Sequence, residues 1–315
     1  MSDLPGSFSH VAVIGPGAIG LVYAVRLASC PGGPAVTVID HRADRAARLS
    51  ARPLALDGPE GRLEARLAVR PAPDRPADLV LLATKAFSVR AAAESARPWI
   101  GRAPILTIQN GLGAADEVRA ALPASTVLTG VSYQAAHVVA EGEVRHVAGG
   151  ATHVGYEGRP ADDLARRVAA LLDEAGLPAR AEPDMRPLVW GKLLVNAAIN
   201  PAAALAGVEN GQVAVRPTLR ALAEAIAEEG QAVARAAGVA LPYPSAAEAA
   251  LRTARDTADN RCSMLQDLEA ARPTEIEYLN GAIAREAGPR GVPVPVNRAV
   301  AALVRQVSGL AAGRT

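Results

Sequence analysis

At 315 residues, half of them hydrophobic and 21% charged, the chain has the composition of a globular protein with room for two domains rather than one core. Lys and Arg number 33 against 32 Asp and Glu, and a net charge of +1 argues against a nucleic-acid-binding surface. Cys30 and Cys262 stand far apart, with neither a CxxC pair nor a histidine companion; this fits a reducing cytoplasm and predicts no metal site. The opening MSDLPGSFSHVAVIG lacks the basic and apolar regions of an export signal. Runs such as DLVLLATKAF read as too short and interrupted to span a bilayer, so no membrane partner is expected.

In chain order, HVAVIG (10–15), AVTVID (35–40), DLVLLAT (78–84) and APILTIQN (103–110) read as buried strands. Segments 17–30, 42–52, 88–97 and 113–122 read as the helices between them. That alternation predicts an α/β Rossmann-type domain with a mainly parallel sheet. STVLTGVSYQ (125–134), EVRHVAG (143–149) and THVGY (152–156) read as an antiparallel extension, and 161–176 as an amphipathic helix stopped at Gly176-Leu177-Pro178. From about residue 185 the periodicity is helical throughout: 188–205, 217–237, 246–270, 273–287 and 297–311. The expected division is therefore a dinucleotide-binding domain over 1–183 and an all-α domain for substrate binding and dimerisation over 184–315.

Gly15-Pro16-Gly17-Ala18-Ile19-Gly20 lies between the first strand and a helix. In that context a GxGxxG run is a dinucleotide fingerprint, with Gly15 making the turn, Gly17 admitting a pyrophosphate and Gly20 letting helix and strand pack. The helix that begins at Ala18 and Ile19 then offers free N–H groups to phosphate. Asp40 ends the second strand, where a carboxylate accepts the ribose hydroxyls of NAD(H); Arg42, two residues on, could instead meet the 2′-phosphate of NADP(H). Two further strand ends are polar, Thr84-Lys85 and Gln109-Asn110-Gly111. Lys85 could serve the cofactor or a carboxylate, and Asn110 a carboxamide or a substrate oxygen.

WGKLLVNAAIN (190–200) sets Lys192, Asn196 and Asn200 at i, i+4 and i+8 on an otherwise apolar helix. Burying such groups without partners costs roughly 2–7 kcal/mol each. The row is therefore expected to face a cleft between the domains, with Trp190, Leu193, Leu194 and Val195 holding the helix in its core. Further on, Asn260, Ser263 and Glu275 stand among apolar residues, Met264 and Leu265 read as core, and Thr274 fits a helix N-cap.

With these pieces assembled, the sequence resembles the ketopantoate reductase (2-dehydropantoate 2-reductase) family. GPGAIG, the TKAF strand end, IQNGLG, WGKLLVNAAINPAAAL and SMLQDLEAARPTEIEYLNG run in the family's order from residue 11 to about 296. The resemblance implies that Lys192 is the general acid to a keto oxygen, with Glu275 as its catalytic companion binding the substrate. It implies substrate contacts from Asn110, Asn196, Asn200, Asn260 and Ser263, and a cofactor near Lys85 and Asn110. The family commonly has a basic residue after the second strand and uses NADPH. Here the stretch is Ile39-Asp40-His41-Arg42, in which Asp40 leans towards NAD(H).

The expected activity is thus reduction of a 2-oxo acid, foremost ketopantoate to pantoate, with a nicotinamide dinucleotide. The same fold serving another 2-oxo or 2-hydroxy acid is the nearer alternative, and a non-catalytic dinucleotide sensor the remote one. The sensor reading leaves Lys192, the asparagine row and Glu275 without a task. Apolar helical faces in the second half point to a homodimer.

Overall fold

The computed structural model describes residues 8–312. They form two compact units, one running to Gln109 and resuming over Ala114–Met185, the other made of Asn110–Gly113 and the chain from Arg186 onward.

The first unit holds β1 (His10–Ile14), α1 (Ala18–Ser29), β2 (Ala35–Ile39), α2 (Ala43–Ser50), β3 (Leu54–Gly58), β4 (Gly61–Ala65), β5 (Ala68–Arg70) and β6 (Leu79–Leu82). It continues with α3 (Val89–Ile100), β7 (Ile105–Thr107), α4 (Ala114–Ala121), β8 (Val127–Ala140), β9 (Glu143–Gly155), α5 (Asp163–Glu174) and β10 (Ala179–Ala181). Every residue of β1 and β6 is buried, because helices cover both faces of the sheet. Alternate residues serve opposite cores. Val11, Val13, Leu79 and Leu81 pack with α1 and α5, while Ala12, Ile14, Val80 and Leu82 pack with α3 and α4.

Six parallel strands lie in the order β5-β2-β1-β6-β7-β8, the doubly wound order of dinucleotide-binding folds. The chain reverses direction across the sheet between β1 and β6, which puts the crevice of such a fold at their carboxyl ends. Beyond β8 the sheet turns antiparallel through β9, then carries β3 and β4. The first residues of β9 pair with β3 and its last with β10.

Several elements depart from the sequence reading. The stretch 54–70 supplies three strands with no strong alternation; β4 is largely exposed and owes its place to pairing with β3. The strands expected over 143–149 and 152–156 are one, with Gly149 and Gly150 running through the ladder beside bulges in the β8 register. A Cβ on Gly150 would lie 2.5 Å from that of Tyr133, so the closeness of the two strands, not a turn, explains the glycine.

The second unit holds α6 (Arg186–Ala206), α7 (Asn210–Val215), α8 (Pro217–Ala236), α9 (Ala246–Asp256), α10 (Ser263–Glu269), a 3₁₀ turn (Ile276–Tyr278), α11 (Asn280–Ala287) and α12 (Pro295–Ala312). The single helix expected over 246–270 is broken between Asp256 and Ser263. The carbonyls of Ala258 and Asn260 accept from the Gly211 and Asn210 N–H groups that open α7, so tertiary bonds displace helical ones there. Nor does Thr274 cap a helix: the 3₁₀ turn intervenes, and α11 starts only at Asn280.

Helix α6 is the axis of this unit, with Trp190, Leu193, Leu194, Ala197, Ala198 and Ile199 all buried in its core. Contrary to the sequence reading, α6 is long and apolar enough to cross a membrane; two-thirds of it is instead buried within the protein, as a core helix is. At Gly191 and Gly230 the packing is too close for a side chain, since a Cβ would meet Pro242 at 2.8 Å and Leu194 at 2.4 Å.

Candidate active site

The glycine loop of the first unit is built by close approach. Gly15 adopts φ +101°, and a Cβ there would press within 2.9 Å of the Thr84 side chain, tying the end of β1 to that of β6. A Cβ on Gly20 would stand 2.0 Å from the Gly15 carbonyl, so only glycine lets α1 start beneath the turn. Gly17 caps α1 with nothing within 4 Å of the Cβ it lacks. The first helical bond runs from Leu21 to Gly17, which leaves the N–H groups of Ala18, Ile19 and Gly20 for an outside acceptor, with no acidic side chain in the first turn to compete. At the neighbouring strand ends, Thr84 Oγ1 and Gln109 Oε1 are buried without a hydrogen-bonding partner among the described residues. An open cap, an uncompensated helix terminus and polar atoms awaiting partners together fit a dinucleotide.

The end of β2 is arranged otherwise than a free carboxylate would be. Asp40 is only 3% exposed. Its Oδ1 accepts from the Arg42 backbone N–H at 3.1 Å, and its Oδ2 lies 3.3 Å from Arg45 Nε. Arg45 also donates to the Pro16 carbonyl in the glycine loop at 2.9 Å. Asp40 Oδ2 nonetheless has no hydrogen-bonding partner among the described residues, and the His41 and Arg42 side chains stand exposed beside it. Lys85 begins a 3₁₀ turn after β6 and is half-buried.

In the second unit Lys192, Asn196 and Asn200 form one half-buried stripe on α6. A narrow cleft is lined by Asn110, Asn200, Ser263, Met264, Asp267, Glu275 and Leu279. Asn110 reaches it because Asn110–Gly113 belongs to this unit: Leu112 N–H donates to the Tyr278 carbonyl at 3.1 Å, and Gly111, at φ +93°, passes where any Cβ would strike that same carbonyl. Glu275 is buried. Its charge acts on Lys192, raising the ammonium's pKa, but burial outweighs it and brings the lysine down from 10.5 to about 8. The lysine is thus held electrostatically by one carboxylate and remains mostly protonated near neutrality.

Two family models match the sequence: Ketopantoate reductase PanE/ApbA over residues 11–158, and Ketopantoate reductase PanE/ApbA C terminal over residues 184–308. The chain belongs to the ketopantoate reductase family. Among curated members, the 2-dehydropantoate 2-reductase of Halobacterium salinarum is 36% identical over 299 residues, covering 94% of this chain and 98% of that protein. The crystal structure of a PanE/ApbA family ketopantoate reductase from Ralstonia eutropha superposes with a TM-score of 0.87 at 31% identity, covering 96% of this chain and 99% of that one. A D-mandelate dehydrogenase solved with NADH and anilino(oxo)acetate shares the fold, with a TM-score of 0.89 at 24% identity over 96% of this chain and 99% of its own.

Of the residues that the ketopantoate reductase resemblance marks for substrate, Asn110, Asn200, Ser263 and Glu275 come together in the cleft. Lys192 and Asn196 are not among its lining residues; Lys192 feels the charge of Glu275, and Asn196 lies between Lys192 and Asn200 on their stripe. Asn260 does not line the cleft: it is exposed in the loop before α10, and its carbonyl accepts from Asn210 N–H. Met264 and Leu265 are buried core, although Met264 also walls the cleft. Sequence reasoning missed Asp267, a buried carboxylate in the lining, paired with Arg272 at 3.1 Å. Its signal was present: Asp267 follows Ser263 by four residues and so shares its face of α10.

Proposed function

We propose that this chain reduces 2-dehydropantoate to pantoate with NADPH, the first unit holding the dinucleotide and the helical unit the acid. The observation that carries the reading is Lys192, a half-buried ammonium whose pKa desolvation lowers to about 8, influenced by Glu275 and aligned with two asparagines. A bound nicotinamide dinucleotide supplies a hydride to the carbonyl carbon. The negative charge that gathers on the keto oxygen is met by the Lys192 ammonium, which delivers a proton to it; general acid catalysis of this kind contributes about 10²–10⁴-fold. Lowering the lysine's pKa brings it nearer the operating pH and makes it a better donor. Glu275 accepts a hydrogen bond from the substrate hydroxyl, Ser263 donates to its carboxylate, and Asn196 and Asn200 supply neutral hydrogen bonds that orient it.

The preference for NADPH rests on the β2 end. Arg45 and Arg42 lie within ion-pair distance of the Asp40 carboxylate and offset its charge, and exposed Arg42 offers a 2′-phosphate a charged donor. Self-association is assigned to the helical unit, where Leu303 and Val307 form an exposed apolar pair at i, i+4 on α12. Sedimentation of the wild type and of Leu303→Asp tests it; a wild-type monomer would refute the assignment.

Steady-state assays of a panel of 2-oxo acids with NADPH and with NADH test substrate, cofactor and class together. Efficient turnover of ketopantoate with NADPH is expected. Feeble turnover there with strong turnover of another 2-oxo acid would overturn the substrate, and dinucleotide binding without any turnover would overturn the enzyme.

A further inference from the structure

Pro201 follows Asn200 inside α6. A proline has no N–H, so the carbonyl four residues earlier, that of Ala197, loses its helical donor. The donor comes from elsewhere: Asn280 Nδ2 lies 3.1 Å from the Ala197 oxygen. Asn280 opens α11 directly after the turn that carries Glu275, and it is fully buried.

The same nitrogen donates to Asn297 Oδ1 at 3.0 Å, and Asn297, also fully buried, donates onward to the Ile226 carbonyl at 3.1 Å and to Glu229 Oε2 at 2.8 Å. Glu229 accepts in addition the N–H groups of Val296 and Asn297 at the start of α12. The orientation of each amide is forced. The Ala197 carbonyl and the Ile226 carbonyl can only accept, so both side-chain nitrogens must face them. A polar ladder thus joins α6, α11, α12 and α8 through the core of the unit.

We propose that Asn280 is a positioning residue, whose bond to the carbonyl freed by Pro201 fixes the register of the Glu275 turn against the Lys192–Asn196–Asn200 row. Ala197 follows Asn196 on the buried side of the same helical turn, and Leu279, beside Asn280, lines the cleft with Glu275. Ile276, Leu279 and Ile283 share one apolar core with α6, but hydrophobic attraction is non-directional and permits sliding. One directional bond to one carbonyl does not. An uninterrupted helix would satisfy Ala197 internally and leave the turn nothing to grip.

The inference rests on the 2-oxo acid reading above, and a double substitution separates the two. In Pro201→Ala the new N–H satisfies Ala197 within the helix, so Asn280→Ala/Pro201→Ala removes the tie without stranding the carbonyl. The Tm lost in Asn280→Ala should be largely regained in the double variant. KM for the 2-oxo acid should stay raised at least tenfold in both, with kcat reduced, while the Kd for NADPH changes less than twofold. Hydrogen exchange at the Tyr278 and Leu279 amides, which bond to the Glu275 carbonyl, should remain accelerated in the double variant. Wild-type kinetics in the double variant would show that Asn280 merely satisfies a carbonyl. If the wild-type protein turns over no 2-oxo acid, the functional reading falls, and the exchange rates still decide the positioning role: wild-type protection in the double variant overturns it.

Discussion

Glu275 raises the proton affinity of Lys192 while burial lowers it, and the outcome is an ammonium with a pKa of about 8. Since the acid works in its protonated form, kcat/KM for reduction should be level below that value and fall as pH rises through it. In Glu275→Gln the raising influence is gone, so the break should move to lower pH, and KM for the oxo acid should rise. A profile that stays flat to pH 10 would remove Lys192 from the proton transfer.

Lys192→Met should cost about 10²–10⁴-fold in kcat while leaving NADPH binding nearly intact. It should also stabilise the fold. The lysine's pKa is about 8 when folded against 10.5 for the free side chain, so below pH 8 its charge is carried into the protein at a cost of roughly 1–3 kcal/mol. A higher Tm for the variant at pH 7, with the advantage shrinking between pH 8 and 10.5, is the expected pattern in calorimetry.

The two glycines of the loop should separate folding from binding. Gly20→Ala forces a Cβ to 2.0 Å from the Gly15 carbonyl and should lower Tm by several degrees. Gly17→Ala meets nothing within 4 Å, so Tm should hold while dinucleotide affinity drops tenfold or more. Unchanged affinity in Gly17→Ala would place the phosphates elsewhere.

Arg42→Ala should raise KM for NADPH about tenfold and leave NADH almost untouched, because only the former carries a 2′-phosphate for that side chain to meet. The loss should diminish as salt rises. Equal loss with both cofactors would mean that Arg42 supports the fold of the turn rather than the phosphate.

Local chemistry explains what was legible in the sequence. A buried strand followed by GxGxxG marks a phosphate-binding turn because the turn and the helix start beneath it are made by neighbouring residues, as the approach of Gly20 to the Gly15 carbonyl is. The spacing of Lys192, Asn196 and Asn200 places them on one half-buried stripe because a helix maps spacing onto direction. Asp40 shows where this runs out. As a residue type at a strand end it favours NAD(H), but the charge it presents depends on Arg45, whose guanidinium the fold brings to 3.3 Å.

By itself, then, the sequence determined the doubly wound unit, the helical unit after it, and the lysine row, all of which follow from periodicity and turn chemistry over short spans. Only the tertiary structure decided which polar groups share a cleft. Asp267 joins Glu275 there, Asn260 stays outside, and Asn110 belongs to the helical unit through four residues anchored on Tyr278. It also decided what Pro201 is for: a missing N–H is visible in the sequence, but its replacement by Asn280 is made in space, where hydrogen-bonding groups distant along the chain must be satisfied together.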